Sequence, residues 1–354
     1  MFSIQAIALN NHIDDHQNPD LDSCDVLQSL VSQGNSFTFT IKAKEVQLSS
    51  APTASQSASN YLNFSAPALS IASQSLTLRK LAFILSELMP LNTVVQLRAN
   101  RFANHFATQA FDLVTQQKLK VDKHVLAAVC QRYGTDIYLK SKASLDSPGL
   151  LVMDMDSTII AMECIDEIAE LAGVKDKVAE VTERAMQGEI PFTQSLHDRV
   201  SCLAGVELEA LLSIRNRLPF MPNFMMTMNI LKQAGWKLGV ASGGFTFFAN
   251  HVKQLSHLDA AHSNELEVVD GKLTGKVLGK VVDGEEKARY LCLLAETFGI
   301  SNAQTVAMGD GANDLVMMAK AGTSVAYHAK PAVSAVADIA IRFGGFEGLL
   351  FALR

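Results

Sequence analysis

The stretch LLVMDMDST, residues 150–158, decides the fold of this chain. Four consecutive apolar residues predict a short strand that is buried on both faces, and Asp154 and Asp156 follow it directly. Two carboxylates this close are costly to bury unless a cation lies between them or one keeps its proton. A hard divalent metal ion binds oxygen ligands and offsets the repulsion. The stretch therefore predicts a metal-assisted site at a strand end, although acids that merely cap the following turn are an open alternative.

Two later stretches repeat the pattern of an apolar strand that runs into a polar loop. They are KLGVASGG at 237–244 and TVAMGDGAND at 305–314, and shorter strands are predicted at 324–327 and 339–343. Helical patterns separate these strands, which predicts an α/β fold with a Rossmann-like parallel sheet. Because the carboxyl ends of parallel strands share one edge of the sheet, we expect the three polar loops to be neighbours.

The second and third loops, with a lysine between them, bring further candidate groups. Ser242 and Gly243 offer a hydroxyl and backbone N–H groups that suit an anion, although Ser-Gly-Gly is more often a plain turn. Asp310 and Asp314 bring two more acids, and four converging carboxylates favour a Mg²⁺ site. Lys287 begins a predicted helix; a lysine there is usually solvated, but the site otherwise lacks a fixed cation for a phosphate.

Two insertions interrupt the strand–helix alternation. Residues 163–233 are predominantly helical in pattern and predict a cap over the sheet edge. Residues 265–279 alternate around Asp270-Gly271, which predicts a β-hairpin.

The N-terminal part of the chain is patterned differently. Residues 1–75 are poorly patterned apart from a possible strand at 37–41, and a Ser/Ala/Gln-rich linker is expected at 49–60. Residues 76–145 predict a small α+β domain. Its expected elements are helices at 76–88, 101–116 and 122–133 and strands at 94–97 and 136–139. The polar segment 140–148 ends in proline-glycine and marks the expected boundary before a domain at 149–354.

Composition excludes several classes of protein. A net charge of −6 gives no general attraction to nucleic acid or to an anionic membrane. Five scattered cysteines without C-x-x-C spacing indicate reduced thiols. No long apolar run and no basic, apolar leader is present, so we expect a cytoplasmic protein.

The order D-x-D-S-T, S-G-G, K, G-D-G-x-N-D resembles the haloacid-dehalogenase-like phosphohydrolases. Within residues 149–354 the resemblance is carried by LLVMDMDST, ECIDEIAELAG, VAEVTERAM, GWKLGVASGGFTFFA and VAMGDGANDL. It implies a Rossmann-like hydrolase core with an inserted helical cap. It is much weaker over residues 1–145, where longer members of the family carry a small ACT-like domain that could be regulatory.

The resemblance also implies a role for each motif residue. Asp154 would be the nucleophile that forms an aspartyl-phosphate, and Asp156 the general acid and base. Asp154, Asp310 and the backbone carbonyl of Asp156 would bind Mg²⁺ directly. Asp314 would lie outside these direct ligands and hold them in position. The phosphoryl group would be held by four residues, Ser242, Gly243, Lys287 and Asn313.

Residues of the cap would choose the substrate. The resemblance implies that Glu163 binds an ammonium group, that Arg199 binds a carboxylate, and that Met186 and Phe192 form an apolar lid, although core packing is an open alternative for the last two. The implied reaction is hydrolysis of O-phospho-L-serine, the final step of serine biosynthesis. Two alternatives stay open: a phosphatase or phosphotransferase for other small phosphomonoesters, and an amino-acid-sensing regulatory protein. Phosphoserine is the expected partner, a homodimer is left open, and neither nucleic acid nor membrane is expected.

Overall fold

The computed structural model describes residues 7–8, 23, 27, 37–42, 45–50, 67–115, 119–187 and 189–354. The chain divides into two compact units, residues 1–141 with 341–353 and residues 142–340 with Arg354. Most of the poorly patterned segment 1–75, and residues 51–60 of the expected linker, lie outside the described residues. The division falls inside the polar segment 140–148, but the C-terminal end differs from the expected 149–354. Residues 341–353 belong to the first unit, where the Asp136 carboxylate accepts hydrogen bonds from the N–H groups of Arg342, Phe343 and Gly344.

The first unit contains one antiparallel sheet of seven described strands in the order β1-β3-β2-β5-β6-β4-β7. The strands are β1 Ile7–Ala8, β2 Phe37–Ile41, β3 Glu45–Ser50, β4 Leu69–Ser73, β5 Val94–Ala99, β6 Gln109–Thr115 and β7 Asp136–Leu139. Helix α1 is Leu78–Leu88 and helix α2 is Lys123–Tyr133. From β4 to β7 the chain follows a βαββαβ path, the ferredoxin-like arrangement.

Local sequence explains both helices of this unit. The hydroxyl of Thr77 accepts the N–H of Lys80 and begins α1, and the carboxylate of Asp122 accepts two N–H groups at the start of α2. Gly134, at a φ of 53°, ends α2 in the left-handed conformation that glycine adopts without strain.

The helix expected over residues 101–116 is wrong. Residues 101–108 form turns and bends, and strand β6 follows, between β4 and β5. Because β6 is a central strand, all but one of its seven residues are buried, which removes the polar face expected of a surface strand. Strand β4 is buried throughout and was not expected, since its alternation is weak.

The second unit is built on a seven-stranded sheet in the order β11-β10-β9-β8-β12-β13-β14. The pairings of β8 with β9 and β12, of β9 with β10 and of β12 with β13 are parallel, which confirms the Rossmann-like sheet. The strands are β8 Leu150–Met153, β9 Lys237–Phe245, β10 Ala260–Val269, β11 Lys272–Leu278, β12 Thr305–Gly309, β13 Thr323–Tyr327 and β14 Ile339–Ile341. Strand β8 is fully buried, as its apolar run predicts.

Helices fill the long connection between β8 and β9, which agrees with the helical cap. They are α3 Cys164–Leu171, α4 Lys175–Met186, α5 Phe192–Ser201, α6 Leu208–Arg215 and α7 Phe224–Gln233. The hairpin is present as β10 and β11, and Asp270 and Gly271 both have positive φ, as its two-residue turn requires. The remaining helices are α8 Thr246–Leu255, α9 Gly284–Phe298, α10 Leu315–Lys320, α11 Pro331–Val336 and, in the first unit, α12 Glu347–Ala352.

Within the described ranges, no helix is long and apolar enough to cross a bilayer. Cys130, Cys164, Cys202 and Cys292 are free thiols. Cys24 and the extreme N-terminus lie outside the described residues.

Candidate active site

The three polar strand ends meet at one edge of the sheet. Strand β8 lies between β9 and β12, and the N–H of Asp154 donates to the carbonyl of Met308 in β12 over 2.9 Å. A cavity of about 400 Å³ opens there, within the range of small-molecule sites. Residues from all three loops and from the cap line it, among them Asp154, Asp156, Ser242, Asp310 and Asn313. The sheet topology thus gathers residues that are more than 150 positions apart in the chain.

Three carboxylates and one lysine form a cluster at the floor of this cavity, with Asp154 and Asp310 in the lining and Lys287 paired with Asp154 and Asp314. Oxygens of Asp154, Asp310 and Asp314 lie within 4.8 Å of one another. The Lys287 ammonium lies 2.7 Å from Asp154 Oδ2 and 2.8 Å from Asp314 Oδ1. Its side chain is 0% exposed, so the ordinary interpretation of Lys287 as a solvated charge is wrong. Helix α9 carries it inward from a first turn that Asp283 caps by accepting the N–H of Glu286.

The excess of negative charge in this floor favours the binding of a divalent cation. Burial and the charge of Asp154 raise the pKa of Asp310, and the same two causes raise the pKa of Asp314 to about 7. Burial lowers the pKa of Lys287, but the two carboxylates outweigh it and hold that pKa above its usual value. One lysine therefore does not offset three buried acids. Clustered carboxylate oxygens are the ligands of hard divalent cations, so the residues present fit such an ion.

Asp156 lies in a different environment from Asp154. Burial, and next the charges of Glu163 and Asp154, raise its pKa well above the usual value. Its Oδ2 accepts the N–H of Cys164 at 3.3 Å, and its Oδ1 is buried without a partner among the described residues. A carboxyl with a raised pKa holds its proton more firmly than an ordinary aspartate and can donate that proton to a leaving group. The structure therefore separates the two aspartates chemically.

A tight turn after Asp156 sets this geometry. Ser157 has a φ of 56°, a left-handed conformation that costs about 1–2 kcal/mol for a residue with a side chain. The N–H groups of residues 158–160 all point at the carbonyl of Met155. The strained turn sends the Ser157 hydroxyl to Glu163, 2.7 Å away.

On the opposite wall, the end of β9 forms a small cradle. Ser242 Oγ accepts the N–H of Gly244 at 2.9 Å, and its residue is 1% exposed. A Cβ on Gly243 would lie 3.0 Å from the Phe192 ring, so the absence of a side chain lets this ring approach the backbone. Hydroxyl and backbone N–H groups in this arrangement suit a phosphate or another oxyanion.

The expected substrate-binding residues are partly brought together. Glu163, Phe192 and Arg199 line the cavity. Burial lowers the pKa of Arg199, whose Nε donates to the carbonyl of Ser195, and burial raises the pKa of Glu163. Met186 is the last residue of α4, and its side chain lies outside the described part of the structure. From the cap, the cavity thus contains one cationic group, Arg199, and two acids, Glu163 and Asp166.

Two residues support the site although the sequence analysis assigns no role to either. Asn264, 1% exposed on β10, donates from Nδ2 to the carbonyl of Gly243 and accepts the N–H of Val282 at Oδ1. It thereby ties the cradle to the segment that leads into α9. Thr158 donates to Asp310 over 3.0 Å. An asparagine in an alternating strand gives no signal in the sequence, whereas Thr158 is part of the D-x-D-S-T motif.

Gly309 also belongs to the site. A Cβ at this position would lie 2.3 Å from Cγ of Asp314, far inside any real contact. The last residue of β12 therefore has to be glycine for Asp314 to reach Lys287 and the Gly311 N–H.

Comparison with known proteins places this site in a class. Residues 149–322 match the model of the haloacid dehalogenase-like hydrolases. A relative from Idiomarina loihiensis is 48% identical over 208 residues, which is 59% of this chain and 94% of that protein. The chain belongs to the haloacid dehalogenase-like hydrolase family.

The relatives carry a more specific name. The Idiomarina protein is a phosphoserine phosphatase, and so is a Vibrio cholerae protein that is 55% identical over 206 residues, 58% of this chain. The latter match spans 63% of the Vibrio protein's length. A structure of a probable phosphoserine phosphatase from Vibrio cholerae, in its unliganded form, has a TM-score of 0.67 at 40% identity and covers 81% of this chain and 86% of that one. A substrate-bound phosphoserine phosphatase complex has a TM-score of 0.56 at 39% identity and covers 59% and 99%.

Proposed function

We propose that this protein hydrolyses O-phospho-L-serine to L-serine and phosphate in a Mg²⁺-dependent reaction, through an aspartyl-phosphate on Asp154. This is the final step of serine biosynthesis. One observation carries the proposal: a single cavity of about 400 Å³ is lined by Asp154 and Asp310, by the Ser242–Gly244 cradle and by the Glu163/Arg199 pair. The similarity to phosphoserine phosphatases of the same family supports it.

The floor of the cavity prepares Asp154 for attack. A carboxylate attacks a phosphate dianion slowly because the two repel each other. The ammonium of Lys287, 2.7 Å from Asp154, reduces that repulsion and stabilises charge on the phosphoryl oxygens in the transition state. Asp154, Asp310 and the carbonyl of Asp156 would bind Mg²⁺, and Asp314 would lie outside these direct ligands. The bound ion would supply further positive charge. Ser242, the Gly243 N–H and Asn313 hold the phosphoryl group in line.

Asp156 handles the protons. As a bond forms between an Asp154 oxygen and phosphorus, the bond from phosphorus to the serine oxygen breaks, and the Asp156 carboxyl protonates the departing alkoxide. Asp156 is then a carboxylate and takes a proton from water, whose oxygen attacks the same phosphorus and releases Asp154. Both the raised pKa of Asp156 and its unpaired Oδ1 support this double role.

The cap supplies selectivity. The Arg199 guanidinium matches a substrate carboxylate through two parallel hydrogen bonds, and Glu163 matches an ammonium. Both charged groups line the same cavity as Asp154, which suits a phosphorylated amino acid better than a sugar phosphate. Phe192, which lines the cavity, supplies its apolar side, and the family resemblance assigns Met186 the same role.

Asp154→Asn tests the nucleophile. The variant has the same shape but lacks a nucleophilic oxygen of full charge, so turnover should fall to background while circular dichroism and thermal unfolding show a folded protein. Asp166→Asn, on the same cavity wall but outside the reacting groups, is the matched control and should keep most activity. Undiminished turnover by Asp154→Asn contradicts the assignment.

A substrate panel tests selectivity. Phosphate release should be fastest from phosphoserine, slower from phosphothreonine and slowest from a sugar phosphate. Equal kcat/KM for the three would remove the roles of Glu163 and Arg199 and favour a general phosphomonoesterase. Transfer of phosphate to an acceptor other than water would favour the phosphotransferase.

The domain roles are part of the same proposal. We infer that residues 76–145 form an ACT-like regulatory domain and that the domain at 149–354 performs catalysis in the cytoplasm, with no need of nucleic acid or membrane. The βαββαβ path of β4 to β7 supports the ACT-like assignment. Titration of the full chain with L-serine, followed by rate and by sedimentation, tests both regulation and a homodimer.

A further inference from the structure

A second cavity lies in the catalytic unit, behind the end of strand β9. Its volume is about 350 Å³, which is again in the range of small-molecule sites. Its walls come from cap helix α6, from helix α8 and from the β10–β11 hairpin. Phe245, which is buried, lines both this cavity and the catalytic one, so the two cavities are neighbours.

Arg215, the last residue of α6, is the cation of this cavity. Its guanidinium carbon lies 5.0 Å from the centre of the Phe247 ring. Its Nε is buried and has no hydrogen-bond partner, and none of the acids in the described part of the chain forms an ion pair with it. A guanidinium stacked on an aromatic face and left with free donors is pre-arranged for a planar anion such as a carboxylate.

The rest of the lining narrows the ligand class. Glu265 is the acidic residue of the described lining, and it lines the same cavity as Arg215 without forming an ion pair with it. Burial and the charge of Arg215 lower the pKa of His251, which disfavours a second cation in this cavity. Leu211, Leu266 and two phenylalanines supply apolar wall. One cation, one acid and an apolar surface match a zwitterion with an apolar side chain.

We propose that this cavity binds a free α-amino acid with an apolar side chain, whose carboxylate pairs with Arg215 and whose ammonium pairs with Glu265. The apolar side chain lies against Phe245 and Phe247. The chemistry differs from that of the catalytic cavity, because no metal cluster and no phosphate cradle is present among the described residues that line it.

Binding at this place would act on the cap. The ligand would bridge α6 of the cap and α8, which follows the phosphate cradle directly in the chain. A bridge between two elements that enclose a substrate changes the free energy of cap movement, and therefore the affinity for substrate, more than the chemical step.

Isothermal titration of the full chain with L-leucine tests the site. We expect saturable binding with one ligand per chain, at a Kd of about 1 mM or below. Arg215→Gln should weaken binding at least about tenfold, a loss of roughly 1.4 kcal/mol. Arg217→Gln, which makes the same charge change on an exposed arginine outside the lining, should bind as the wild type does.

Further variants and a second ligand distinguish binding at this site from binding in the catalytic cavity. Arg199→Gln should leave L-leucine binding unchanged; loss of binding there would place the ligand in the catalytic cavity and overturn the inference. Glu265→Gln should weaken L-leucine more than 4-methylpentanoate, which lacks the ammonium, and equal binding of these two ligands by the wild type also overturns it. Absence of heat up to about 10 mM L-leucine refutes the site outright. If Arg215→Gln unfolds, Phe247→Leu provides the second test with the same expected loss.

Discussion

Replacing Lys287 with methionine removes the one buried cation beside the three acids. The two ion pairs of Lys287, at 2.7 and 2.8 Å, are fully enclosed. Removing one partner of a buried ion pair costs about 3–5 kcal/mol, because the remaining charges are left uncompensated. We therefore expect Lys287→Met to lower the free energy of unfolding by about 3–5 kcal/mol at neutral pH without a divalent cation. Turnover should fall by about 10²- to 10³-fold, the usual effect of losing one group that stabilises transition-state charge.

The loss of unfolding free energy in Lys287→Met should depend on pH. Without Lys287, Asp310 and Asp314 lose the cation that opposes the rise of their pKa values, which then lie further above those of the unfolded chain. Such groups stabilise the fold fully below the unfolded pKa and lose that contribution as pH rises through the folded pKa. Since the pKa of Asp314 is about 7 with the lysine present, the wild type and the variant lose this contribution in parallel at lower pH, and the deficit of the variant should grow as pH rises above about 7. Addition of Mg²⁺ should recover part of it, because a ligand that binds only the folded state stabilises it.

Urea unfolding at pH 6 and pH 8.5, with and without Mg²⁺, measures each of these effects. Lys280→Met is the matched control, because that side chain is 71% exposed and the buried carboxylate of Glu286 keeps Arg289 and His262 as partners when Lys280 is replaced. Its loss should stay within about 1 kcal/mol, since an exposed lysine is screened by solvent. A loss for Lys287→Met that equals the control, or that is the same at both pH values, refutes the electrostatic account of the floor.

Three further substitutions test the support of the site. Gly309→Ala places a Cβ 2.3 Å from Asp314 and should cost about 1–3 kcal/mol with weakened Mg²⁺ binding, measured by urea unfolding and metal titration; an unchanged metal affinity contradicts the contact. Asn264→Ala removes both bonds of a buried amide and should cost about 1–3 kcal/mol and raise KM for phosphoserine, whereas an effect on stability alone would make Asn264 purely structural. Arg199→Lys keeps the charge but loses the planar fork, so KM should rise about tenfold with little change in kcat, and an equal fall of kcat would point to a role in the chemical step.

Local chemistry explains why much of the fold was predictable. The predominantly apolar strands β8, β9 and β12 are almost wholly buried, as expected of parallel strands covered on both faces, and their carboxyl ends carry the polar motif residues. The hairpin turn at Asp270-Gly271 and the cap of α2 at Asp122 depend on residue type alone. The sequence of strand β6 does not predict a strand, because both faces of this central strand are buried and the alternation of apolar and polar residues is therefore missing.

The sequence by itself determined the chemistry of this protein: the D-x-D-S-T, S-G-G, lysine and G-D-G-x-N-D motifs, their order, and their positions after strands and before a helix. Only the tertiary structure decided which of these groups meet. It brought Asp154, Asp310 and Asp314 together and set Asp156 apart, buried Lys287 completely, and recruited Asn264 from a strand without a motif. The physical reason is that residue type fixes what a side chain can do, whereas burial and neighbouring charges, which determine its pKa and its partners, come from segments far away in the chain.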